Sequence, residues 1–295
     1  MIQHYFSIAF ALGLSLVVFS KGVAQELRAY AVYNSKGKQV DFGTMSEKLL
    51  KADVVLFGEL HNNPICHWLQ LEFSKVALES DKPIAFGAEM FERDDQLVLD
   101  EYLSETVPLK FLTQDAKTWP NFETDYLPLL DLARDAQRPF IATNVPRRYA
   151  SLVSKKRKEA LDSLSAEAKQ MIAPLPFEVT INDPGYIDMR EMMGLHNMGT
   201  GIDALIEAQA LKDYTMSWNI FTNLPSDGLF IHFNGSFHSQ NFGGIYNYLK
   251  ALDKKLKVSV IATVEAEGTD LAFDEEWKGL GDFVIVVSGD MTKTH

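Results

Sequence analysis

The chain has 295 residues, of which 46% are hydrophobic and 23% charged, and its formal net charge is −12. That length supplies a core for one large or two modest domains, and the composition excludes an intrinsically disordered chain. The acidic balance argues against a nucleic-acid partner, whose phosphates call for a basic footprint.

Residues 1–24 read apart from the rest. MIQHYFSIAFALGLSLVVFSKGVA holds no acidic residue, is apolar from Tyr5 to Phe19, and ends Gly22-Val23-Ala24 before Gln25. Small residues at −3 and −1 mark a secretory signal peptidase site. The apolar run is shorter than the about 20 residues needed to span a bilayer, which weighs against a membrane anchor, and no cysteine stands there for lipidation. The expectation is an exported protein, soluble in the periplasm or at the cell envelope once cleaved. Cleavage removes Lys21 and no acid, giving 27 − 40 = −13. The single cysteine, Cys66, rules out an intrachain disulfide, and the lack of a CxxCH motif rules out covalent c-type haem.

Strands and helices alternate through residues 25–295. A first strand is predicted near 28–33, a helix at 45–51, then the apolar strand 53–57. A helix follows from Pro64, with Ile65, Leu69, Phe73 and Val76 on one face. Strand 84–90 leads to a helix at about 94–103, another spans about 123–137, and strand 139–144 closes this half. The segment 147–200 breaks the rhythm. It is basic and helical at first, then Pro-rich, then Met-rich, with five of ten methionines at 171, 189, 192, 193 and 198. We read it as a helical insertion over the carboxyl edge of the sheet. A long helix at 200–223, strand 229–234, a helix at about 243–252 and strands 256–262 and 282–287 complete the pattern. Continuous apolar strands separated by helices imply an α/β fold with a mostly parallel sheet flanked by helices.

The chemistry gathers where strands end. VVLFGELHN delivers Glu59 and His61 from one strand, and LFIHFNGSFHS delivers His238 from another, each within a Gly-x-x-His motif. Glu89 and Asn144 end two further strands. Ligands of open α/β sheets bind outside the carboxyl ends of the strands, so these residues are expected to face one crevice. Two His (His61, His238) and two Glu (Glu59, Glu89) suit a divalent metal. Alternatively, a Glu acts as general base with a His as its partner. Each taken singly also fits a helix cap or a satisfied buried hydrogen bond. Arg93 and Gln96 are placed to reach the same crevice or to sit on a solvated helix start. Gln209 and Asp213, on an apolar helix face, need partners beneath it. Cys66 and His67 lie on a packed helix and are read as core. Arg147 and Arg148 form a cationic edge suited to carboxylates or phosphates. Tyr186 and His196, in the Met-rich stretch, are chemically able to bind haem iron.

Taken together and in order, FGELHNNP, GAEMFERDDQ, the Tyr126 helix through Arg134, ATNVPRRYASLV, the Met-rich stretch ending at His196, AQALKDYTM and FNGSFHS resemble the ChaN-type haem-binding uptake family of the Tiki/erythromycin-esterase superfamily. The resemblance covers most of residues 25–295. It implies haem binding in bacterial iron acquisition at the cell envelope, in a homodimer that buries haem between subunits and works with outer-membrane haem uptake machinery. Tyr186 is then the first choice of axial ligand and His196 the second, with Arg147 and Arg148 near the propionates. The wider superfamily implies an alternative: a metal-dependent hydrolase in which His61, His238, Glu59 and Glu89 hold the ion and the glutamates serve catalysis. Where ChaN-like proteins usually carry glycine before the second His, this chain has Phe237, a ring expected to narrow the crevice or wall it.

Overall fold

A computed structural model describes residues 27–180, 182–192 and 200–295. The signal-like segment and His196 lie outside the described residues. Strands β1 (Tyr30–Asn34) and β2 (Gln39–Val40) precede helix α1 (Phe42–Leu49), whose first turn is capped by the Asp41 carboxylate accepting from the Thr44 amide at 2.7 Å. Strand β3 (Val54–Glu59) is buried along its whole length. Helix α2 (Pro64–Leu78) starts where Asn63 accepts from the amides of Ile65 and Cys66 and proline fills the first turn. Strand β4 (Ile84–Glu92) is followed by α3 (Gln96–Leu103), α4 (Leu109–Asp115) and α5 (Leu127–Asp135), then β5 (Phe140–Asn144). Helices α6 (Arg147–Lys156), α7 (Ala166–Lys169) and α8 (Pro184–Met192) occupy the stretch before the long α9 (Thr200–Thr222). Strand β6 (Leu229–Gly235), α10 (Ile245–Leu252), β7 (Val258–Ala266) and β8 (Phe283–Ser288) complete the chain.

The eight strands form one sheet in the order β2-β1-β8-β7-β3-β6-β4-β5. Only β1 runs antiparallel to its neighbours β2 and β8; the remaining pairs are parallel. The expected mostly parallel α/β sheet is therefore what forms. Val55, Phe57, Phe86 and Ile231 pack on one face with Met45, Leu49, Leu69, Phe73 and Leu129. Val54, Leu56, Ala85 and Phe230 pack on the other with Met216, Ile220, Ile245 and Leu249. This alternation along each strand is the period-2 pattern of a sheet covered on both sides. A separate cluster unites Tyr149, Val153, Leu161, Phe177 and Tyr186 with Ile206 and Leu211 of α9, so the segment after β5 packs on α9. Among the described residues no helix is long and apolar enough to cross a membrane.

One expected element differs, and two elements are additional. The helix anticipated at 123–137 is a π-helical turn, Phe122–Tyr126, running into α5. β2 and α4 were not anticipated; a two-residue strand and a seven-residue helix carry too little periodicity to register. The topology then positions the site. β3 and β6 are central neighbours, and the chain leaves β3 toward β4 but leaves β6 toward β7, on opposite sides. The helices that follow them, α2 and α10, pack on opposite faces of the sheet, which opens a crevice at the carboxyl ends of the strands.

Candidate functional site at the carboxyl ends of the central strands

Glu59 ends β3 and shares the pleat face of Val55 and Phe57, so its carboxylate points toward α2 and α5. There it accepts hydrogen bonds from Tyr126 Oη at 2.7 Å and Gln70 Nε2 at 2.6 Å. His61 Nδ1 lies 3.0 Å from the same carboxylate. The side chain is fully buried. Burial alone would raise its pKa, but the neighbouring imidazoles of His67 and His61 and the Gln70 amide outweigh it and hold the carboxyl below its ordinary value. His67 itself is 3.1 Å from both Gln70 Oε1 and the His61 carbonyl, and Asn121 donates to that carbonyl at 2.7 Å. The loop carrying His61 is thus gripped on its backbone as well as its ring.

Glu89 faces the other way. Met90 and Phe91 both enter the same core cluster, and the β4–β5 register shifts between Ala88 and Glu92, the mark of a bulge. The Glu89 carboxylate accepts from the Gly235 amide at 2.9 Å and lies 3.0 Å from His238 Nε2. His238 Nδ1 meets Asp213 of α9 in a short contact, and Tyr186 donates to the other Asp213 oxygen at 2.7 Å. A chain Glu89–His238–Asp213–Tyr186 therefore links the crevice to α9 and α8. Burial disfavours the imidazolium of His238, yet the two flanking carboxylates overcome it and push its pKa up to about 10. Glu89 is held well below the carboxylate range despite its burial, because of His238. Asp213 goes the opposite way: its burial is only partly offset by His238 and Tyr186, and its pKa rises.

Between the two halves stands Gly235, paired in register with Glu59 across β3–β6. A Cβ placed there would lie 2.7 Å from His61 Nε2 and 2.8 Å from its Cε1. The His61 ring therefore lies directly against the glycine, with Glu89 beyond it. Burial works against a charged His61, but Glu59 and Glu89 raise its pKa above the ordinary value. Its Nε2 has no hydrogen-bond partner among the described residues, and the side chain is 39% exposed, with Trp119 edge-on at 4.9 Å. When neutral with its proton on Nδ1, this imidazole offers an open lone pair to the crevice. Gly235 has φ −56°, open to any residue, so Gly235→Ala acts by sterics alone. The variant is expected to expel the His61 ring, lower its pKa and cost about 1–3 kcal/mol, as read by NMR titration of the imidazole and by urea unfolding. An unchanged His61 titration would refute the contact.

The structure thus brings Glu59, His61, Glu89 and His238 together around one glycine. It pairs them with one another, and among the described residues no group of three or more His, Cys, Asp or Glu is arranged to hold a metal ion. Gln209 and Asp213 are where the sequence placed them, both against His238. Asn144 donates to the Glu89 carbonyl at 3.0 Å, and its own Oδ1 is buried without a partner among the described residues. Arg147 and Arg148 lie at the start of α6, exposed, in ion pairs with Glu92 at 3.6 Å and Asp94 respectively. Tyr186 is only 2% exposed, and Phe237, beside His238, is 42% exposed. Arg93 and Gln96 do not turn to the crevice. Gln96 accepts from the Ala142 amide at 2.7 Å and donates to the Phe140 carbonyl at 3.1 Å, while Arg93 donates to the Ala142 carbonyl at 3.2 Å. Sequence reasoning missed Gln70, Tyr126 and the part played by His67. Gln70 and His67 lay hidden in a helix read as packed, and Tyr126 in an apolar stripe that also served the core.

Comparison with known proteins gives the same architecture. The family model described as haem-binding uptake, Tiki superfamily, ChaN, matches residues 45–249. ChaN of Campylobacter jejuni, solved with cofacially bound haem, superposes with a TM-score of 0.67 at 19% identity, covering 88% of this chain and 97% of that one. A Bacillus cereus protein aligns with a TM-score of 0.47 at 11% identity, over 84% of this chain and 98% of that chain. An erythromycin esterase variant in its open conformation gives 0.45 at 12% identity, over 87% and 83%. No curated protein matches the chain.

Proposed function

Since the chain belongs to the haem-binding uptake (ChaN) family of the Tiki superfamily, we propose that it binds haem and serves haem or iron acquisition at the bacterial cell envelope. The observation that carries this reading is the family match, which spans the segments bearing Glu59, His61, Glu89, Tyr186 and His238. In this reading residues 1–24 are cleaved on export, and the protein works as a soluble periplasmic or envelope carrier. It pairs with a second copy across the haem and exchanges cargo with outer-membrane uptake machinery.

The surface chemistry suits a porphyrin. Phe237, beside His238, and Ile187, on α8, are exposed at 42% and 41%, and they offer apolar area next to the crevice. Arg147 is 73% exposed, and with Arg148 it supplies guanidinium groups for carboxylates. Tyr186 remains the preferred iron ligand and His196 the second. The Tyr186 phenol already shares its proton with Asp213, so a carboxylate stands ready to take that proton when the phenol ligates. Its burial means that α8 must turn outward for it to meet an iron. Haem supplies the iron and the visible spectrum; the chain supplies ligand, apolar face and cations.

A haem titration of the purified protein should give a shifted Soret band that saturates at fixed stoichiometry, and Tyr186→Phe should alter that band. Absence of a saturable shift would end the haem reading, and an unchanged band in the variant would end the assignment to Tyr186. A second reading, metal-dependent hydrolysis, is favoured by one observation: His61 is fixed through Nδ1 on Glu59 with Nε2 open, the orientation typical of a metal-ligating imidazole. Metal analysis after equilibration with zinc separates the two readings.

A further inference from the structure

A cavity of about 250 Å³ opens beside Tyr186, between the segment 176–186, α9 and α10. Four aromatic rings line it: Phe177, Tyr186, Tyr214 and Tyr248. Phe177 and Tyr214 stack with centroids 5.5 Å apart, and Tyr214 leans on Tyr248 at 5.3 Å, so these three make one continuous wall. The hydroxyls are already used. Tyr214 donates to the Pro174 carbonyl, Tyr248 to the Glu178 carbonyl and Tyr186 to Asp213, at 2.8, 2.8 and 2.7 Å. What the wall presents is therefore ring surface rather than free O–H donors.

The charge lining the cavity is negative. Asp183, 2% exposed, is held by the amides of Gly185 and Gly244 and by Asn247 Nδ2 at 2.6 Å. These are neutral donors, and among the described residues no ion pair neutralises it. Glu178 adds a second carboxylate at the exposed rim. No described Lys or Arg lines the cavity. Lys158 lines a neighbouring cavity, where its ammonium stands 5.9 Å from the Phe177 ring centre. Burial together with Asp213 and Asp183 raises the pKa of Tyr186, in keeping with a negative local field.

Aromatic rings attract cations through their negative faces, and carboxylates add to the effect. A ligand without N–H groups asks for no free acceptor, which matches a wall whose polar groups are already paired. We propose that this cavity binds an organic cation, an alkylated ammonium group of the choline type. The cavity shares Tyr186 with the haem reading, but its ligand chemistry is different and its wall of Phe177, Tyr214 and Tyr248 takes no part in that reading.

Isothermal titration of the full chain with choline, and separately with its neutral isostere 3,3-dimethylbutan-1-ol, tests it. Choline is expected to bind saturably and the isostere about tenfold more weakly. Tyr214→Leu should weaken choline by a similar factor and leave the Soret titration with haem unaltered. Equal binding of the two probes, no binding of choline, or full choline affinity in a folded Tyr214→Leu variant would overturn the proposal. The comparison of probes uses the unaltered protein, so it decides even if the variant fails to fold.

Discussion

His238→Ala is expected to lower the unfolding free energy by about 3–5 kcal/mol at neutral pH, because it strips the cation from two buried carboxylates at once. Among the described residues Glu89 loses its 3.0 Å partner and keeps the Gly235 amide as its hydrogen-bond donor, and Asp213 keeps Tyr186. The pH dependence identifies the cause. The His238 pKa rises from 6.5 to about 10 in the folded protein. A raised folded pKa contributes stability that is fully present below about pH 6.5 and is lost as pH climbs through about 10. The unaltered protein should therefore weaken across that alkaline window, and the variant should lack this component. Acidification should narrow the gap between them, since protonating the orphaned carboxylates relieves the variant. Urea unfolding at pH 5, 7 and 9 measures both trends; a deficit constant across the three would mean that lost packing, not charge, is responsible.

Glu59→Gln is expected to cost about 2 kcal/mol and to release His61. Three donors converge on Glu59: Tyr126 Oη, Gln70 Nε2 and His61 Nδ1. An amide keeps one acceptor oxygen but sets an NH₂ against the remaining donors, and in a fully buried site no water repairs the mismatch. Without the carboxylate, the His61 pKa should fall, because Glu59 supplies both a hydrogen bond and a negative charge to it. The Glu59 pKa is depressed when folded, so its contribution is present above the ordinary 4.5 and vanishes as pH falls through the lowered value. Imidazole NMR titration with denaturation at pH 7 and pH 3 follows both quantities. A His61 titration curve identical to that of the unaltered protein would show that the pair is incidental.

Much of this was legible beforehand for a physical reason. A central parallel strand is buried on both faces and so is mostly apolar, as β3 is, and a carboxylate or imidazole in or just after it stands out, although β6 also buries His232 and Asn234, which bond each other. Glu59, His61, Glu89 and His238 announce themselves in this way, and so do Gln209 and Asp213 as polar residues on an apolar helix face. What stayed hidden sits on elements with two duties. Tyr126 packs its ring in the core with Leu129 and Leu130 while its hydroxyl reaches Glu59. The π turn at Phe122–Tyr126 cannot be distinguished from ordinary helix by periodicity. The partners of Arg93, Gln96, Arg147 and Arg148 were out of reach for another reason. Which backbone edge or acidic neighbour a long side chain meets is decided by packing between segments distant in sequence.

The way Gln96 and Arg93 meet β5 limits how copies of this molecule can join. Gln96 supplies one donor and one acceptor to the outer side of that strand, as a further strand would, and Arg93 occupies another carbonyl there. At the opposite border, β2 offers a template of only two residues. Neither border invites a neighbouring chain to zip on by backbone pairing. Self-association, when it occurs, is thereby steered away from ribbon-like growth and toward contacts made through side chains, which can close on themselves and stop.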